Sequence, residues 1–274
     1  VKIPFYKYQG TGNDFVMIDQ RQNQYLTRAD QTKIAQLCHR RFGIGADGLI
    51  LLEKSENVVA QGFDFEMIYF NADGGEGSMC GNGGRCTVAF AHFLGIFERE
   101  CRFLAVDGAH EAGITEGGDW VELRMIDVDG IETGNDYFLM NTGSPHYVVF
   151  VEDLKDINVY DAGREIRYSN RFRKEGVNVN FVESNSDIKE GTNIEVATYE
   201  RGVENETFSC GTGVTAAAIA QYLQHPKKPN CVDIVTKGGR LQVKFTPPSV
   251  TTSKFTGIWL CGAANRVFEG TIAI

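Results

Sequence analysis

Long apolar runs are missing from this sequence. Its apolar runs, such as Val148-Val149-Phe150-Val151, fall far short of the ~20 residues a membrane-spanning helix needs. Clustered positive charge is missing too. The formal net charge is −9, and the densest basic stretch, Arg164 to Lys174, is interspersed with Glu165 and flanked by Glu175, as on a solvated face. A net-acidic surface without a basic patch argues against nucleic acid and anionic membranes as partners. The segment Val1-Lys2-Ile3-Pro4-Phe5 lacks the basic, apolar and small-residue regions of a signal peptide, so the expected location is the cytoplasm. Paired cysteine motifs are missing: Cys38, Cys80, Cys86, Cys101, Cys210, Cys231 and Cys261 form an odd, widely spaced set of seven with no C-x-x-C, which fits reduced thiols better than a disulfide framework or a zinc site. Neither a Schiff-base lysine motif nor a complete G-x-G-x-x-G after a strand is evident, so any chemistry here is expected to need no cofactor and no metal.

What is present is a chain of 274 residues, 42% of them hydrophobic, enough for one large domain or two of about 130 residues. Alternation predicts strands at Ile3 to Tyr8 and Phe15 to Ile18, with a turn over Gln9 to Asp14. Helical spacing covers Asp30 to His39. Further strands are expected at Leu49 to Leu52, Phe63 to Phe70, Cys101 to Val106, Glu111 to Thr115 and Trp120 to Ile126, with a helix from Gly83 to Leu94. Asp127-Val128-Asp129-Gly130 reads as a linker.

Beyond that run the first half recurs. Thr11-Gly12-Asn13-Asp14 is echoed by Thr142-Gly143-Ser144-Pro145, 131 residues later, and Gly45 by Gly176 at the same offset. Tyr69-Phe70-Asn71 lines up with Tyr199-Glu200-Arg201, and Cys80-Gly81-Asn82-Gly83 with Cys210-Gly211-Thr212-Gly213, each 130 residues on. The offset implies two homologous halves, residues 1–127 plus 266–274 and residues 128–265. Each is a strand-rich unit around the helix that follows its cysteine, and the last strand returns to the first half.

A thiol at a helix N-terminus has its thiolate favoured by the macrodipole and by N–H groups without intrahelical partners. Two such cysteines on opposite sides of one carbon could take a proton from one face and return one to the other, which is racemisation or epimerisation. The helix starts, Gly81-Asn82 and Gly211-Thr212, offer N–H donors to a carboxylate beside that carbon, so a free α-amino acid fits. Cys38, Cys86, Cys101, Cys231 and Cys261 read as packing. His146 reads equally as a structural histidine or an acid–base partner. Asn13, Asn71, Asn178 and Asn180 read equally as turn residues or ligand contacts.

Taken together, these motifs, with Phe70-Asn71-Ala72-Asp73-Gly74, Gly143-Ser144-Pro145-His146, Gly176-Val177-Asn178 and Tyr199-Glu200-Arg201-Gly202-Val203, resemble the diaminopimelate epimerases over nearly the whole chain. The resemblance implies an isomerase that interconverts LL- and meso-diaminopimelate without a cofactor, in lysine and peptidoglycan precursor synthesis. It implies an α/β (α+β) fold of two domains related by a pseudo-twofold axis, each a β-barrel-like sheet around a central helix, with the site in the cleft between them. On this likeness Cys80 and Cys210 match the acid–base pair, and Gly81, Asn82, Gly211 and Thr212 the carboxylate-binding helix starts. Glu200 matches the residue near the reacting amine. Asn13, Asn71, Asn178 and Arg201 match substrate-holding residues, the last three at the distal end, and His146 a histidine beside the cysteines. A homodimer is a further implication, for which no surface stripe in the sequence speaks. Two positions depart from the pattern: Gly48 stands where a glutamine can occur, and Ser144, with its shorter reach, where the family often has Asn. The nearest rival is a proline racemase or hydroxyproline epimerase. Asn82 in place of a histidine, and the Glu200-Arg201 pair, weigh against it, since an arginine suits a second carboxylate that proline lacks. A non-catalytic amino-acid-binding protein on the same scaffold would be favoured only if one cysteine were absent.

Overall fold

The computed structural model describes residues 2–115, 117–118, 120–184, 192–226, 230–250 and 252–273. In chain order the elements are β1 (Lys2–Gly10), β2 (Asn13–Asp19), α1 (Gln31–Cys38), β3 (Gly48–Glu53), α2 (Glu56–Ala60), β4 (Phe65–Asn71), α3 (Gly81–Phe93), β5 (Glu100–Ala105), β6 (Gly108–Ile114) and β7 (Trp120–Arg124). They continue as β8 (Glu132–Thr133), β9 (Tyr137–Asn141), β10 (Pro145–Val151), α4 (Val159–Arg167), β11 (Asn178–Ser184), β12 (Thr192–Glu200), β13 (Asn205–Thr207), α5 (Gly211–Gln224), β14 (Cys231–Thr236), β15 (Gly239–Thr246), β16 (Thr256–Ala263) and β17 (Asn265–Ala273). The chain divides into two compact units, Val1–Leu123 with Gly262–Ile274, and Arg124–Cys261. Among the described residues no helix is long and apolar enough to cross a membrane.

In the first unit the strands pair in the order β17, β1, β2, β3, β4, β5, β6, β7, with β2–β3 and β4–β5 parallel and the other pairs antiparallel. The parallel pair β2–β3 needs a crossover, and α1 supplies it. Thr11 and Gly12, both with positive φ (49° and 85°), make the two-residue turn that lets Gly10 face Asn13. The predicted turn is therefore shorter than Gln9 to Asp14, because its outer residues belong to the strands. The run Phe15-Val16-Met17-Ile18 is apolar without alternation because both faces of β2 are buried. Val16 and Ile18 pack with Ile34 and Leu37 of α1. The opposite face meets α3, which packs against β1, β2, β3, β4, β6 and β17. Gly81 through Ala91 of α3 are buried all round, as expected of a helix enclosed by sheet rather than lying on it. Ile274, the expected end of the last strand, lies outside the described residues.

The second unit repeats this plan. Its order is β8, β9, β10, β11, β12, β14, β15, with β10–β11 and β12–β14 parallel and β13 alongside the end of β12. Helix α4 is the crossover, packed on Val179, Phe181 and Tyr199. Helix α5 is enclosed by β9, β10, β11, β12, β14 and β15. Its Ala216 to Ala220 run is buried throughout, small side chains letting strands approach from every side. The run expected as a linker lies inside this unit: Val128 is fully buried and exchanges backbone hydrogen bonds with Phe255. Its Asp and Gly residues carry the turn signal, while its valine plugs the core.

Strand register makes the repeat exact enough to correct its reading in sequence. Phe15 pairs with Gly48 as His146 pairs with Asn178, and Leu49 with Phe70 as Val179 with Tyr199. Phe70 is thus equivalent to Tyr199, and Asn71 to Glu200 rather than Arg201. The slip arises because the hairpin after β12 carries one more residue: Phe70 bridges Glu76, whereas Tyr199 pairs with Glu206. Gly45 and Gly176, matched by sequence, both hold left-handed backbone at φ 83° and 79°, a conformation open to glycine at no steric cost.

Candidate active site

Each cysteine of interest is the residue just before its unit's enclosed helix. Cys80 is the N-cap of α3 and Cys210 the N-cap of α5, with nearly the same extended backbone (φ −113°, ψ 126° and φ −117°, ψ 114°). Neither helix start has a side-chain cap, so the first N–H groups of each, which cannot bond within the helix, face outward from the cysteine end. Gly81-Asn82 and Gly211-Thr212 supply them.

In the first unit Asn13 opens β2 and its amide is held in one orientation. Asn13 Nδ2 donates to Asp47 Oδ2 at 2.7 Å, which leaves Asn13 Oδ1 to accept from Cys80 Sγ at 3.7 Å and from Asn82 Nδ2 at 3.5 Å. Asp47 is fixed in turn by Arg40, which also grips both oxygens of Asp14 at 3.0 and 2.7 Å. Lys7, almost fully buried, pairs with Asp14 and donates to the Gly45 carbonyl. Burial alone would raise the Asp14 carboxyl, yet hydrogen bonds from Arg40 and Lys7 hold it well below the usual carboxylate range. Asn82 Oδ1 accepts from Arg85, whose guanidinium is fully buried and also reaches Thr11 Oγ1 at 3.0 Å. Asn71 ends β4 opposite Gly48, its side chain exposed. The Tyr69 ring lies against Gly48, Gly77 and, edge-on, Phe15. A Cβ at Gly48 would overlap that ring and the Phe70 carbonyl, which accounts for glycine at the first departure from the family pattern.

The second unit gathers Ser144, His146, Asn178, Cys210 and Thr212. His146 is fully buried in β10, and its Nε2 lies 2.8 Å from Thr212 Oγ1 and 3.0 Å from Ser144 Oγ. Thr212 Oγ1 is 3.4 Å from Cys210 Sγ. Asn178 donates from Nδ2 to Ser144 Oγ at 2.9 Å and accepts at Oδ1 from the Arg201 backbone N–H at 2.8 Å. Burial pushes the His146 imidazole down to about 3, so the ring is neutral near neutral pH. Ser144, the other departure, spends its hydroxyl inside this cluster. Glu200 ends β12, and burial pushes its carboxyl up. Arg201 is exposed, with Nη1 donating to the Glu175 carbonyl at 3.1 Å. Asn13, Asn71, Asn178 and Asn180 all lie in strands, which sets aside the turn-residue reading for Asn178 and Asn180, while Asn13 closes the β1–β2 turn and Asn71 opens the turn to Gly74.

Three contributors do not read as site residues in the sequence, and a fourth, Asn180, reads equally as a turn residue or a ligand contact. Asp47 and Arg40 orient Asn13, and Asn180 and Thr198 lie behind His146. The Gly43 to Gly48 loop carried a signal for Asp47, since an acid between glycines beside a candidate site invites the question. Nothing in the sequence singled out Thr198.

The family model for diaminopimelate epimerase matches residues 5–128 and 138–256. A diaminopimelate epimerase from Flavobacterium psychrophilum is 47% identical over 267 residues, 97% of this chain and 99% of that protein. Among solved structures, a Bacillus anthracis phenazine biosynthesis protein of the PhzF family superposes with a TM-score of 0.75 at 16% identity, covering 100% of both chains. A probable proline racemase from Agrobacterium radiobacter K84 gives a TM-score of 0.69 at 16% identity, over 99% of this chain and 93% of that one. At such identities the likeness to these structures speaks for the fold alone.

Proposed function

The chain belongs to the diaminopimelate epimerase family, an isomerase family, and on that premise we propose that it interconverts LL- and meso-diaminopimelate without a cofactor, through Cys80 and Cys210. The observation that carries this reading is that each unit ends its enclosed helix in a cysteine N-cap at an equivalent position. In the proposal the two halves meet across the substrate, one cysteine on each face of the reacting carbon. One thiolate takes the α-proton while the opposite thiol delivers its own, so the chain ends with the protons exchanged between the sulfurs and no net change in charge. The reverse reaction swaps the roles.

The polar surroundings support an assignment at rest. Cys80 donates toward an amide oxygen, which favours a thiol; Cys210 has a hydroxyl beside it, which favours a thiolate when the hydroxyl donates. The helix-start N–H groups of Gly81, Asn82, Gly211 and Thr212 would hold the α-carboxylate and the charge that develops on deprotonation. Glu200 would meet the reacting amine. Asn71, Asn178 and Arg201 would hold the distal end, where a guanidinium suits a second carboxylate. The product would feed lysine and peptidoglycan precursor synthesis in the cytoplasm.

Exchange of the α-hydrogen in D₂O, without added cofactor, tests the reading on LL-diaminopimelate against L-proline. Exchange on diaminopimelate with inversion is expected. Exchange on proline alone would replace this reading with that of a proline racemase.

A further inference from the structure

Three polar residues lie behind the Cys210 helix start where packing alone does not require them. His146, Asn180 and Thr198 occupy the α5-facing side of β10, β11 and β12, since their neighbours Tyr147, Val179, Phe181, Ala197 and Tyr199 pack on the other face with α4. Strand register equates them with Phe15, Ile50 and Tyr69 of the first unit. The same fold is thus filled at these positions by apolar and aromatic side chains in one half and by a fully buried imidazole, amide and hydroxyl in the other. Buried polar groups cost stability unless bonded, so their bonds are informative.

Those bonds have a direction. The Tyr147 carbonyl can only accept, so the atom of Asn180 facing it at 3.1 Å is Nδ2; Oδ1 accepts from the Thr198 hydroxyl at 3.0 Å. The same Nδ2 lies 3.1 Å from His146 Nδ1. An amide nitrogen only donates, so Nδ1 is the acceptor, and a neutral ring must then carry its proton on Nε2. Nε2 faces Thr212 Oγ1 at 2.8 Å, Ser144 Oγ at 3.0 Å and Asn178 Nδ2 at 3.4 Å; Asn178 Nδ2 spends its shorter bond, 2.9 Å, on Ser144, so Nε2–H donates to the nearest acceptor, Thr212. Having accepted there, the Thr212 hydroxyl keeps its own proton to donate to Cys210 Sγ at 3.4 Å.

We propose that Asn180, anchored by Tyr147 and Thr198, is a positioning residue that holds His146 as the Nε2–H tautomer, so that the imidazole donates to Thr212 and Thr212 donates to the Cys210 sulfur. His146 is then a hydrogen-bond donor in a relay and not a base. The relay's link to turnover rests on the proposed catalytic role of Cys210; its tautomer does not.

Imidazole nitrogen NMR on histidine-labelled full-length protein reads the tautomer directly, with the His146 signal assigned by its loss in His146→Gln. The expected result is a neutral ring with unprotonated Nδ1. A proton on Nδ1 in the unaltered protein overturns the proposal, whatever the activity. Asn180→Asp, the same size, puts an acceptor at Nδ1 and should move a proton onto it. With the donation to Thr212 altered, kcat should fall about tenfold, the worth of one strong hydrogen bond, with KM nearly unchanged. An unchanged His146 spectrum in that variant also overturns the proposal. Should the variant not fold, the spectrum of the unaltered chain still decides the tautomer. If the unaltered protein shows no epimerisation while its ring carries Nε2–H, the functional reading fails and the positioning stands.

Discussion

The two units share strand order, parallel pairs, crossover helix and enclosed helix, yet they surround their cysteines with opposite chemistry. Behind Cys80 stands a charged network, Asp47, Arg40, Asp14 and Lys7, that ends in an amide oxygen facing the thiol. Behind Cys210 stands a neutral one, Thr198, Asn180, His146 and Thr212, that ends in a hydroxyl. A duplicated fold supplies two equivalent thiols, and only a handful of side chains make them unequal. In the proposed reaction that inequality would bias which sulfur holds the proton at rest, while each must still serve in both states as the direction reverses.

The largest test is to remove either member. Cys80→Ser and Cys210→Ala should each leave the fold intact and lower epimerisation by about three orders of magnitude, the usual worth of a general acid or base. More than a few per cent of activity in either, measured by α-hydrogen exchange and by inversion, would sink the pairing.

Acid should next separate the units. His146 has a folded pKa of about 3, below the value of about 6.5 expected unfolded, so the unfolded chain binds the extra proton between those values. Its contribution is complete above pH 6.5 and should be lost at about 1.4 kcal/mol per unit as pH falls below that. Asp14 is also depressed, but from the carboxylate range, so its contribution is lost only as pH falls below about 4. Urea denaturation from pH 7 to 4.5 should show a slope that His146→Gln removes and Asp14→Asn does not.

A matched pair of glycines sharpens the contrast in packing. A Cβ at Gly213 would overlap Asn180 Oδ1 and press on Cys210, whereas at the equivalent Gly83 the nearest atom is Ile50 Cδ1 at 3.3 Å, the end of a flexible side chain. Gly213→Ala should cost about 1–3 kcal/mol in thermal unfolding, and Gly83→Ala less than about 1, since alanine's helix preference partly offsets the crowding. Equal costs would mean that the polar filling around α5 does not discriminate. On turnover, the smallest effect expected among these is that of Asp47→Asn. Its amide can offer Asn13 a donor as well as an acceptor, so Asn13 no longer has a fixed face toward Cys80, and kcat should fall about tenfold. An unchanged pH–rate profile in this variant would detach Asp47 from Cys80.

Much of this was legible in the chain itself. The strands around Phe15 and Ile50, the helix after Cys80 and the equivalence of Cys80 with Cys210 all follow from apolar pattern, turn residues and a repeated offset. Those are local or periodic signals. The brief strands β8 and β13 and helix α2 were missed because two to five residues carry too little pattern. The alignment of Asn71 with Arg201 failed by one residue because an insertion in a hairpin is invisible until the strands are paired.

The sequence by itself determined the family, the doubled architecture and the two cysteines, because these are written in motifs that survive being read in one dimension. Tertiary structure alone decided which amide face meets Cys80, which nitrogen of His146 carries its proton and why position 48 is glycine. Those depend on donors and acceptors brought together from strands far apart in the chain: Asn13 with Asp47, His146 with Asn180, and Gly48 with Tyr69. Hydrogen-bond direction is a property of such pairs, and no single residue carries it.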